Sequence, residues 1–101
     1  MKLIMITALR EYGDTAAGLL KQAGISVFSM TDTIGSKNGS DQNLMDSWFG
    51  LGDAKFDSVF LFSFTEDSKA KMAMTLIREY NGKKPGDFPI HGFLLPVEEG
   101  I

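Results

Sequence analysis

A chain of 101 residues with 44% hydrophobic side chains, 23% charged ones and three prolines has the composition of one small globular domain spanning 1–101, and not that of a disordered or fibrous chain. It has no cysteine, which excludes disulfides, zinc knuckles and thiol catalysis and favours a reducing compartment. A net charge of -3 with scattered basic residues offers little attraction to a phosphate backbone, and no run approaches the about 20 apolar residues of a membrane span. The expected setting is the cytoplasm, without a nucleic-acid partner.

Leu3-Ile4-Met5-Ile6-Thr7-Ala8-Leu9 is an apolar run of strand length, followed by turn residues with Gly13 and a candidate helix N-cap at Asp14. Ala16, Leu19, Leu20 and Ala23 then recur at helical spacing, and Gly24 stands where a left-handed residue would end the helix. A second strand is predicted over 25–34, with Phe28, Met30, Asp32 and Ile34 on one side and Ser29, Thr31 and Thr33 on the other.

Over 35–55 the glycines at 35, 39, 50 and 52 lie among Ser, Asn, Asp and Lys, which predicts a long, mobile loop. Within it Leu44, Met45, Trp48 and Phe49 have the spacing of a short amphipathic helix. They either fold back on the core or present Trp48 and Phe49 to a partner. Residues 57–64 are nearly continuously apolar and predict a central strand.

Thr65-Glu66-Asp67-Ser68 supplies a capping hydroxyl and acids for a second helix, which Ala70, Ala73, Leu76, Ile77 and Tyr80 line on one face and Asn81-Gly82 ends. After the basic turn from Lys83 to Pro89, the last apolar run covers 90–97. The order β-α-β, long loop, β-α-β is that of an α+β ferredoxin-like sandwich, with two helices on one face of a four-stranded antiparallel sheet. The other face, to which Phe28, Met30 and the run 59–64 would contribute, is too apolar to stay wet and predicts burial against another subunit.

Met1-Lys2-Leu3-Ile4, the Ala23-Gly24-Ile25-Ser26 turn and residues 31–35 align without gaps with the first half of the PII nitrogen-regulatory proteins and their PII-like relatives. Leu95-Pro96-Val97-Glu98-Glu99 is similar to their final strand. The resemblance covers 1–35 and 56–99, and 36–55 corresponds in position and length to the family's T-loop. It implies a non-enzymatic, homotrimeric signal-transduction protein that holds an adenine nucleotide or another small anionic metabolite in clefts between subunits. Its T-loops would reach a membrane transporter or an enzyme. A CutA-like trimer with a metal-binding or structural role is the alternative, against which the absence of cysteine and the single histidine weigh.

By the same resemblance Ser29, Thr31 and Gly35 line the cleft, and Ser36 and Lys37 begin the T-loop. The family's phosphate-cradling run ending in lysine is here Gly86-Asp87-Phe88-Pro89-Ile90-His91, in which His91 stands in place of the lysine. A permanently charged ammonium thus becomes a group mostly neutral at its reference pKa of about 6.5. The loop has no tyrosine, so the family's uridylylation switch cannot operate. Read from the residues, Lys83, Lys84, Gly86 and Asp87 form either a solvated turn or an anion-binding one, and the resemblance favours the second. His91 is either a ligand contact or a structural hydrogen-bonding residue. Adjacent Glu98 and Glu99 would point to opposite faces of a strand and make a poor acid/base pair.

Overall fold

The computed structural model describes residues 1–36, 55–83 and 88–101, with backbone alone at 35, 36, 55 and 56. Strand β1 (Lys2–Leu9) alternates buried Ile4, Ile6 and Ala8 with residues on the opposite side. A single 3-10 turn, Arg10–Tyr12, joins it directly to helix α1 (Gly13–Gln22). Because that turn leaves no loop, the helix starts early: Tyr12 is the N-cap, without a side-chain bond, and Asp14 lies inside the first turn instead of capping it. Its carboxylate there still complements the helix dipole.

The other end of α1 follows the expectation from Gly24. The amide of Gly24 (φ 87°) donates to Lys21 O at 3.0 Å and that of Ile25 to Leu20 O at 3.0 Å, while the Leu20 and Ile25 side chains are both buried. This is a Schellman end, closed by a glycine in the left-handed region and an apolar contact.

Strand β2 (Ser29–Ser36) begins four residues later than the alternation predicted. The lead-in 25–28 makes no ladder and is tied down by the Ser63 hydroxyl, which donates to Val27 O at 2.6 Å. Strand β3 (Lys55–Thr65) pairs antiparallel with both β2 and β1 and is central, as predicted. Helix α2 (Asp67–Lys83) follows. Thr65 is the last residue of β3 and not a cap. Ser68 instead donates to Glu66 Oε1 at 2.8 Å, and Asp67 pairs with Lys71 at 3.0 Å. The helix also runs past Asn81-Gly82, because the Asn81 side chain bonds the returning chain at Ile90 instead of its own helix end.

Strand β4 (His91–Pro96) completes a four-stranded antiparallel sheet in the order β2-β3-β1-β4. This is the expected ferredoxin-like arrangement, and the core is a single layer between helices and sheet. Ile4, Ile6, Val59 and Leu61 meet Ala16, Leu20, Ala73 and Ile77, all buried. Small helical residues let both helices lie close to the strands. At Gly92 the approach is tightest: a Cβ there would sit 3.0 Å from Ile77 Cδ1 and 3.2 Å from Met74 Sδ.

Pairing fixes which side chains face away from the helices. Met30, Asp32 and Ile34 pair with Leu61, Val59 and Asp57, so they take helix-side positions, and Phe28 packs against the core. The expectation that Phe28 and Met30 cover the outer face is therefore reversed. Strand β2 gives that face Ser29, Thr31 and Thr33 instead.

Candidate functional site

The outer face of the sheet can be read in rows across the register. One row is Leu95, Leu3 and Phe64, and the next is Phe93, Met5, Phe62 and Ser29. The third, His91, Thr7, Phe60 and Thr31, turns polar, and Ser58 and Thr33 follow it. Phe60, Phe62 and Phe64 of β3 line up along the strand, with ring centroids 5.6 Å apart for Phe60 and Phe62 and 6.3 Å for Phe62 and Phe64. Phe64 is 57% exposed and Leu95 39%.

Among the described residues no helix or strand covers this face, and none of its side chains carries a permanent charge. The charged strand residues whose side chains are described, Lys2, Asp32 and Asp57, all take helix-side positions. An antiparallel sheet with one wet face normally alternates apolar-in and polar-out. Here both faces are apolar over most of their width, which marks the outer one for a partner.

His91 opens β4 at the polar end of the face, opposite Thr7. Its Nε2 is shut off from solvent and has no hydrogen-bond partner among the described residues, and the buried hydroxyl of Ser58 is in the same state. Burial holds the imidazole below its ordinary pKa of 6.5. Position 91 is set from behind by Asn81, whose amide donates to Ile90 O at 2.8 Å and accepts from the Ile90 amide at 3.0 Å.

No protein-family model matches the sequence, and no curated protein matches it. Solved structures do. A protein of Thermus thermophilus described as PII-like and signalling superposes with a TM-score of 0.62 at 15% identity, over 92% of this chain and 82% of that one. A DUF3240 family protein of Shewanella baltica superposes with a TM-score of 0.65 at 11% identity, over 98% of this chain and 91% of that one. This chain has a PII-like fold.

Within that PII-like fold the described residues among those singled out from the sequence do not converge in one chain. Ser29 and Thr31 are exposed on edge strand β2, and His91 is on edge strand β4. Three interstrand spacings separate them, roughly 14 Å. Gly35 and Ser36 end β2, and exposed Lys83 ends α2. Lys37, Trp48, Phe49, Lys84, Gly86 and Asp87, with the loop and short helix predicted around Trp48, lie outside the described residues.

Ser29 borders a shallow hollow of about 200 Å³ beside Phe28 and Phe62. A larger open groove of about 740 Å³ runs between Met1, Phe64 and the segment 97–101, with exposed Glu98 and Glu99 beyond the end of β4. Neither contains His91 or Lys83. Thr7, Ser58 and Asn81 are not among the residues singled out from the sequence. A hydroxyl inside an apolar strand run was the available signal for the first two, whereas nothing local marks Asn81 as a partner of Ile90. Among the described residues no helix is long and apolar enough to cross a membrane.

Proposed function

We propose that the protein is a PII-like regulator acting as a homotrimer in the cytoplasm, a binding protein and not an enzyme. In this reading the outer sheet faces close on one another. A small anionic metabolite or adenine nucleotide binds in the cleft between subunits, and the segment 36–55 passes the signal to a transporter or an enzyme. The observation that carries the reading is the outer sheet face, apolar and free of permanent charge among the described residues on a fold shared with a protein described as PII-like and signalling.

The edge-to-edge separation of Ser29 and Thr31 from His91 supports a site made by two copies. A neighbour's β4 edge beside this β2 edge would bring the small hydroxyls of one chain to the His91 and Lys83 turn of the next. The ligand set in this reading is Ser29, Thr31, Gly35, Ser36 and Lys37 from one copy, with Lys83, Lys84, Gly86, Asp87 and His91 from its neighbour. Trp48 and Phe49 would meet the partner protein.

Calorimetry against adenine nucleotides, bicarbonate and divalent metals, with the single Trp48 as fluorescence reporter, tests the reading. Binding of a nucleotide or an anion with a change in Trp48 emission is expected. Heat and emission silent to every compound would overturn the sensor function, and a response to metals alone would favour the CutA-like alternative.

A further inference from the structure

The outer face carries one titratable group among the described residues, and it is His91. Around it stand Thr7 of β1 in the same row, Phe93 two residues on along β4, and Phe60 of β3 beyond Thr7. None of these is charged. Asn81 of α2 meets Ile90 and not the ring, and Lys83 at the end of that helix is exposed.

A second copy is the occupant this face fits. Two identical faces without a permanent charge meet without like-charge repulsion, and the Leu3, Met5, Phe62 and Phe64 side chains have apolar counterparts to bury against. We propose that His91 couples this self-association to protons: neutral His91 lets the faces close, and protonated His91 holds them apart. The proposal rests on the oligomeric reading above and adds its control.

The sign follows from the ring's chemistry. A neutral imidazole has one donor and one acceptor, whereas the cation has two donors and a full charge. On this face the proton would go to a ring whose Nε2 already lacks a partner, and closure would remove the remaining water. Burial, with no opposing charge, already favours the neutral form in one protomer. Covering the face strengthens that preference, so assembly is unaffected above the ordinary value of 6.5 and weakens as pH falls below it, through the lowered value of the single protomer.

Sedimentation velocity on wild type and His91→Gln, at about pH 8 and about pH 5.5, tests the coupling. Wild type is expected to lose roughly tenfold or more in association constant on acidification, and His91→Gln to associate equally at both values. A wild-type constant that does not change with pH, or an equal acid loss in His91→Gln, overturns the coupling and leaves the oligomer standing. A wild type that sediments as one protomer at about pH 8 overturns the oligomer itself. Should His91→Gln misfold, NMR titration of the wild-type ring decides. Its proton affinity must be lower at high protein concentration than at high dilution, and equal values overturn the coupling.

Discussion

Asn81 commits both ends of its amide to the backbone of Ile90, and this pair closes the connection from α2 into β4. Ile90 is 2% exposed, so its peptide groups could not turn to water if the amide were removed. Asn81→Leu is expected to lower stability by about 1–3 kcal/mol, the cost of leaving a buried donor and acceptor unpaired. In a domain of this size that corresponds to a melting temperature lower by roughly 5–15 °C, measurable by calorimetry. Asn81→Asp keeps the acceptor for the Ile90 amide but sets a carboxylate against the Ile90 carbonyl, and should fall between wild type and Leu. Equal melting of all three would show that the clamp contributes nothing. In the sequence Asn81-Gly82 reads as a helix end, which is the local meaning of the pair. Its partner is nine residues away, beyond a segment that no periodicity describes.

At the scale of the elements, the same substitution should have opposite signs at two glycines of the first helical unit. Gly24 has a φ of 87°, where a side chain strains the backbone even though Lys69 Cε would lie no nearer than 3.5 Å, so Gly24→Ala is expected to cost about 1–2 kcal/mol. Gly18 is an exposed interior residue of α1 with open space beyond its Cα, and Gly18→Ala should add about 0.5–1 kcal/mol. Urea unfolding of both variants checks the pair, and a shift of the same sign in both would defeat the argument.

The two helices and the strand character of β3 were legible because short-range chemistry marks them. Gly24 announces the Schellman end, and Val59 to Phe64 reads as a strand with apolar residues on both faces. What was not legible is parity. The alternation in β2 is plain, but which half faces the helices is set by pairing Met30 with Leu61 and Ser29 with Phe62, a long-range register. The start of α1 was misplaced for a related reason. The 3-10 turn at Arg10–Tyr12 hands β1 to the helix without the loop for which Asp14 would have been the cap.

For the whole molecule the question is what the outer face meets. Its centre is Phe62, flanked along β3 by Phe60 and Phe64 and opposed on β1 by Met5. A carboxylate there would point away from the core layer, so the protomer need not suffer, yet it would place an unpaired charge at the middle of any apolar contact. Phe62→Asp is therefore expected to retain the helical circular dichroism of wild type and to lose association by about a hundredfold or more, as truncation of a central aromatic anchor does. Met72 is also apolar and 50% exposed, but it lies on α2, on the opposite side of the sheet. Met72→Lys should leave association unchanged, which separates a specific contact through the sheet from nonspecific stickiness. The comparison also bears on ligand binding. If the site is completed by a neighbour's β4 edge, Phe62→Asp must abolish nucleotide or anion binding although Phe62 is not itself in the proposed ligand set, of which it pairs only with Ser29 across the register. Undiminished binding by the dissociated protomer would place the site within one chain.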